Sequence, residues 1–246
     1  MFWKDFGRAI SAYGEGIKLI NQLKLWKFFF IPALIGLLVG ATIIWGGYAL
    51  SDNIGEYLSS WYPFEWGSGI IEWIADIIGG GLILILGYLM YKHIVLAFSA
   101  PFMSPVSEKI EKHLTGANAL ESQGTFTSLL IRGIRLAIRN ILLELLITIP
   151  LLILGIIPLI GFLSPILLFY VQAFYCGFGN MDYTLERHRK YNQTPAFVRK
   201  NKGLAFGNGA VFMLSLLIPF VGIMLTLPIS TAAATVVTVE RLNQTK

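Results

Sequence analysis

The chain has 246 residues, 55% of them hydrophobic and only 13% charged, with a formal net charge of +5. Ordinary soluble domains carry about 25% charged residues, so the composition excludes a soluble fold and predicts one all-α integral membrane unit that uses lipid as its solvent. The positive charge does not signal nucleic acid as a partner, because the basic residues flank apolar runs and no zinc finger, RRM aromatic motif or separate basic domain is present.

Residues 1–27 place Phe2, Trp3, Phe6, Ile10, Tyr13, Ile17 and Ile20 at helical spacings, with Lys4, Arg8 and Lys18 on the remaining surface. That pattern predicts an amphipathic helix, lying in the membrane interface or packed on the protein's own cytoplasmic side. With Asp5, Glu15, Lys24 and Lys27 also present and no short apolar core before a small-residue site, the segment does not read as a cleavable signal peptide. Residues 28–50 run without charge for about 23 residues, enough at ~1.5 Å per residue to cross ~30 Å of hydrocarbon as a transmembrane helix. Gly36 and Gly40 form a GxxxG, extended by Gly47, a face that permits close helix contact within or between subunits. Residues 51–69 carry Asp52, Glu56, Glu65, Trp61, Tyr62 and Trp66, the makeup of an external interface, and a second transmembrane helix returns over 70–100. No Lys or Arg lies between Lys27 and Lys92, which puts that loop outside and its flanks in the cytoplasm. Lys92 is expected to snorkel to the inner interface, beside a His93 that is either an interfacial polar group or a ligand or proton relay.

Residues 101–140 read as a cytoplasmic helical segment. Ser104 as cap, Pro105 at the first helical position and Gly116 as terminator predict a short helix, with Glu108, Lys109, Glu111 and Lys112 wet and Val106, Ile110 and Leu114 packed. Arg132, Arg135 and Arg139 then fall on one helix side, as an anion-attracting stripe or as a face that snorkels to lipid phosphate. Two apolar hairpins follow, 141–181 and 204–240, joined by a cytoplasmic loop at 182–203. Their breaks read alike, Ile157-Pro158-Leu159-Ile160-Gly161 and Ile218-Pro219-Phe220-Val221-Gly222, each followed by another proline, Pro165 and Pro228: an internal repeat. Arg139, Arg187, Lys202 and Arg241 bracket them, so both ends of both hairpins and both chain termini are expected in the cytoplasm. The arm from Leu204 to Ile218 is about 15 residues, roughly 22 Å, too short for a full crossing, whereas the first hairpin inserts partly or fully. Helices restarting after Gly161 and Gly222 would aim free N–H groups at membrane depth, where broken helices hold anions in transporters. Ser164 and Thr226 would add hydroxyl donors there, or cap their own helices. Glu144 is an acid inside a hairpin arm, either functional or satisfied near Asn140 and Arg139. The single cysteine, Cys176, reads as a packing residue.

Ala100-Pro101-Phe102-Met103-Ser104-Pro105 with Glu108-Lys109-Ile110-Glu111, then Asp182-Tyr183, Phe206-Gly207, the Gln22 to Pro32 stretch and the two hairpin breaks resemble the CysZ-type sulfate permease family, within the etoposide-induced-protein-like membrane superfamily. The resemblance implies a multi-pass protein of the bacterial inner membrane that admits sulfate for cysteine synthesis. It also implies two long spanning helices, partly inserted hairpins and a homo-oligomer in membrane lipid. It brings a Gly-apolar-Arg signature before the first spanning helix, associated with sulfate binding, where this chain has Lys24-Leu25-Trp26-Lys27. Lysine point charges bind oxyanions less directionally than the planar fork of arginine, and Lys24 and Lys27 either contact the anion or only flank the span. His93, His113 and His188 are dispersed, and no nucleophile elbow or phosphate loop is present, so no enzyme activity, metal or cofactor is expected. The rival reading is a non-transporting membrane scaffold that binds partners or lipid through 101–140 and 182–203. No coupling ion is legible.

Overall fold

The computed structural model describes residues 2–59, 68–116, 120, 124–155, 157, 161–218 and 221–244, with side chains at all of these except 50–59, 68–86, 88, 89, 221, 223 and 224. The expectations for Trp61, Tyr62, Glu65 and Trp66 of the external loop, for Pro158, Leu159 and Ile160, and for Pro219 and Phe220, lie outside the described residues. Helices follow one another in the order α1 (Phe2–Gln22), a 3-10 turn (Leu25–Phe29), α2 (Phe30–Ser59), α3 (Ser68–Thr115), α4 (Phe126–Gly155), α5 (Leu163–His188), α6 (Thr194–Lys200), α7 (Lys202–Ser215) and α8 (Val221–Asn243). No strand occurs among the described residues, and the fold is that of an all-α membrane protein.

The chain divides into two units, Gly36–Lys92 and the remainder. In the first, α2 and α3 run antiparallel: Gly40 faces the Tyr91 ring, and Gly87 faces Ile43 so closely that a Cβ there would collide with it. Gly40 of the GxxxG therefore serves a contact inside the chain.

The larger unit is built on small-residue crossings. A Cβ on Gly209 of α7 would sit 2.7 Å from both the Ala173 carbonyl carbon and the Gly177 amide nitrogen of α5. A membrane supplies no hydrophobic force between helices, so close van der Waals approach of this kind has to hold them together. α1 docks in the same manner: Gly203 and Gly207 of α7 abut Asp5 and Ala9, and Gly16 abuts Ala232 and Ala233 of α8. Salt bridges from Arg8 to Glu240 and from Arg241 to Asp5 tie its first half to α8. It is the small face of α1 that is buried (Asp5, Ala9, Ala12 and Gly16, with Leu19 and Ile20), while Trp3, Ile10 and Ile17 form an exposed apolar stripe at seven-residue spacing. Both expected settings of this helix thus have a face: one on the protein, one for lipid.

Among the described residues, Leu25–Ala49 and Phe126–Gly155 are long and apolar enough to cross a membrane, with only 17% and 28% of their most apolar stretches buried. Leu142, Leu146, Ile149, Leu152 and Ile153 of α4 point outward, as do Phe162, Leu163, Ile166 and Leu167 of α5 and Leu214, Leu217 and Ile218 at the end of α7. The described residues flanking the hairpin breaks are thus apolar on the outside, and α7 itself has 14 residues, or about 21 Å.

The region around Ser104 departs from the sequence expectation. No helix starts there: α3 continues from Ser68 to Thr115 through Pro101 and Pro105. Each proline removes one backbone donor, but Ala97, Ala100, Met103, Val106 and Ile110 are buried along this stretch and packing holds the helix. The Ser104 hydroxyl donates to Glu186 instead of capping. Gly116 closes the helix in the left-handed conformation, at φ +60. Glu111, expected on the wet face, is 1% exposed, and Leu114, expected to pack, is 42% exposed. Glu111 turns inward because Arg187 and His188 of α5 wait for it there.

Candidate functional site

α1 is separated from α2 by a sharp turn. Lys24 takes φ 52 and ψ 46, the left-handed region, and the 3-10 turn after it buries Leu25 and Phe29 while exposing Trp26 and Lys27. The Trp26 indole donates to Asn21 Oδ1 at 2.8 Å and stacks on Phe29 with 4.7 Å between centroids, which fixes the turn. Lys27 Nζ lies 5.5 Å from the Phe28 centroid, and Lys109 Nζ, from far along the chain, lies 5.7 Å from the same ring. The ring face attracts both ammonium groups. Lys24 at the turn and Lys27 and Lys109 against Phe28 are all exposed, at the start of the first apolar span.

The hairpin breaks hold their residues differently. Gly161 and Gly222 donate their amides to Ile157 and Ile218, at 2.7 and 2.9 Å, each closing the turn that reverses the chain. The Ser164 hydroxyl donates across its hairpin to the Leu151 carbonyl, and Thr226 is 8% exposed within α8. Those two glycine amides and the Ser164 hydroxyl are engaged within the hairpins, whereas the lysines at the turn are presented to the outside.

The three arginines of α4 are not brought to one point. Arg132 makes a bidentate pair with Asp182, at 2.9 and 2.7 Å, and also donates to Thr194 and the Arg189 carbonyl. Arg139 lies over the Phe178 ring, 5.1 Å away, and Arg135 is exposed. Behind them, α3, α4 and α5 enclose a cavity with about 20 Å³ open to water, lined by His93, Ala97, Arg132, Asn140, Asp182 and Glu186 among others. Sequence reasoning missed two buried clusters. His93 Nε2 and Glu144 Oε2 are 2.6 Å apart with both side chains at most 4% exposed, so Glu144 is paired with α3. Glu111 receives Arg187 at 2.8 Å and His188 at 2.6 Å, and Arg187 also donates to Ser107, itself bonded to Thr184 and Thr235. The only signal for either was an acid where an apolar or wet face was expected.

Comparison with known sequences settles the family. The profile described as Sulfate transporter CysZ/Etoposide-induced protein 2.4 matches residues 12–226. The chain belongs to this family. Among its relatives, a protein named Sulfate transporter CysZ from Pseudomonas aeruginosa strain LESB58 is 27% identical over 231 residues, covering 90% of each chain, and the protein of the same name from strain PAO1 matches equally. The one from Pseudomonas paraeruginosa is 26% identical over the same coverage. These names are those of transporters, not enzymes.

Lys24 sits in the left-handed conformation that glycine adopts freely, and an L-residue there costs roughly 1 kcal/mol. Lys24→Gly should therefore raise stability by about 1 kcal/mol, read as a higher thermal midpoint in detergent. An unchanged or lower midpoint would show that the turn is not strained at Lys24.

Proposed function

We propose that the chain is a permease or channel for sulfate or a related small oxyanion in the bacterial inner membrane, feeding sulfur assimilation, with Lys24 and Lys27 as first anion contacts. The observation that carries this reading is the exposed, left-handed lysine turn at the head of the span Leu25–Ala49, at the place of the family's anion signature. The names of the Pseudomonas relatives favour sulfate. Charge placement favours a multi-pass protein with both termini in the cytoplasm, and the outward apolar tips of α4, α5 and α7 favour hairpins that dip into lipid. The cavity between α3, α4 and α5 holds about one water and is too small for a tetrahedral dianion. In this reading the anion passes elsewhere, and the exposed apolar faces suit a homo-oligomer whose copies bound that path.

Each lysine contact to a dianion is a charge-assisted bond worth about 1.5–3 kcal/mol. Lys24→Ala combined with Lys27→Ala is expected to cut sulfate uptake into vesicles about tenfold or more at low substrate. Unchanged uptake would remove the site. Recovery of a bound partner with no flux in the unaltered chain would favour the scaffold reading instead.

A further inference from the structure

We propose that the His93–Glu144 pair is a proton-binding site within the apolar part of the fold, loaded through the cavity between α3, α4 and α5. The proposal rests on the membrane reading above for its setting, but its chemistry stands on the pair itself. His93 and Glu144 come from different helices, meet at 2.6 Å and are almost wholly withdrawn from solvent. Glu144 lies inside Phe126–Gly155, one of the two apolar spans. A buried ion pair is a poor way to hold two helices, because its desolvation cost is only just recovered and apolar side chains of similar volume do as well. Within a membrane-spanning helix such a pair marks a relay or an ion path more often than a brace.

With one proton the pair is neutral overall, whether imidazolium faces carboxylate or imidazole faces carboxylic acid. A second proton makes it cationic and the loss of the first makes it anionic. Each step thus changes the net charge of an apolar region.

The route is also present. His93 and Asn140 line the cavity together with Arg132, Asp182 and Glu186. Its size suits one water, with polar partners among these side chains. Burial pushes the Glu186 carboxyl up to about 7, aided by the Asp182 charge and opposed by the Ser104 hydrogen bond and by Arg187 and Arg132. Glu186, on the same cavity as His93, is thus easier to protonate near neutrality than an ordinary carboxylate. Lys92, next to His93 in the chain, is itself buried, and other polar groups near the pair and its cavity are engaged. From α4, Arg132 is committed to Asp182 and Arg139 to the Phe178 ring. From α5, the Tyr183 hydroxyl donates to the Leu96 carbonyl at 2.7 Å, and Tyr175 lies within electrostatic reach of Glu144 and Arg139. A proton on Glu186 passes to the cavity water, which releases one of its own to the pair; only O–H and N–H bonds change.

The test is an infrared pH titration of the full chain in lipid nanodiscs without sulfate, following the C=O stretch of protonated carboxyls. The expected result is a carboxyl band that is absent in Glu144→Gln and whose midpoint moves by about one pH unit, a tenfold change in proton affinity, in His93→Gln. If Glu144→Gln does not fold, the midpoint shift in His93→Gln decides alone. Identical titrations in the unaltered chain and both variants would overturn the proposal. Sulfate flux is read separately: the band behaving as expected without flux leaves the proton site standing and sinks the transport reading, and flux with identical titrations does the reverse.

Discussion

Arg187→Ala is expected to destabilise the protein by about 3–5 kcal/mol, because it strands a buried carboxylate. The Arg187 side chain is 1% exposed and that of Glu111 2%, and the guanidinium supplies bonds to Glu111, Ser107 and the Tyr183 carbonyl at once. Removing it leaves Glu111 with His188 alone and takes a donor from the Ser107, Thr184 and Thr235 hydroxyls that join α3, α5 and α8. Arg187→Lys should fall between, since an ammonium cannot reproduce the fork. The sign with pH is fixed. Burial pushes the Glu111 carboxyl up, but the His188 hydrogen bond and the Arg187 charge more than offset it, so Glu111 ends below the ordinary carboxylate range. A carboxyl depressed in the folded state stabilises above its unfolded range and loses that contribution as pH falls through its folded value. The gap in thermal midpoint between Arg187→Ala and the unaltered chain should therefore be widest near neutrality and narrow in acid. A gap below about 1 kcal/mol at neutral pH would mean that the cluster is a surface pair in effect.

Gly209→Val is the second large effect. At the crossing of α7 over α5 the obstacle is backbone, not a side chain that can rotate away: the Ala173 carbonyl and the Gly177 amide stand where the new carbons would go. Overpacking of adjustable cores costs typically 1–3 kcal/mol, and here the helices themselves must separate, so about 3 kcal/mol or more is expected, seen as loss of folded protein on size-exclusion chromatography. Gly7→Ala on α1 is the control, since nothing lies within 4 Å of its added Cβ. It should be neutral or stabilise by about 0.5–1 kcal/mol through helix propensity. A folded Gly209→Val would contradict the close crossing.

These two sites show where sequence reading reached and where it stopped. The first spanning helix, the breaks at Gly161 and Gly222 and the small-residue faces were legible, because apolar run length and glycine spacing are local properties of the chain. What glycine spacing cannot reveal is the partner: Gly40 turned out to face Tyr91 within the chain, and Gly16 to face α8. Ser104-Pro105 misled because a cap followed by proline is a start signal only for a helix free to end, and tertiary packing carried α3 straight through it. Glu111 misled for the opposite reason. Its neighbours Glu108, Lys109 and Lys112 belong to a charged face, and only the fold reveals that Arg187 and His188 sit across from it. His93 and Glu144, 51 positions apart, are in the same case: long-range pairs of this kind leave no periodic trace. The left-handed φ of Lys24 likewise had no trace in the sequence, since a lysine before an apolar run carries no turn signal.

The central claim is that this chain by itself lets sulfate cross a bilayer. The direct measurement is uptake of radiolabelled sulfate into lipid vesicles containing only this protein, with folding and insertion checked by protease protection. The account predicts uptake above that of protein-free vesicles, suppressed by excess unlabelled sulfate and lost when Lys24 and Lys27 are both alanine. Correctly inserted protein that takes up no more sulfate than lipid alone would contradict it.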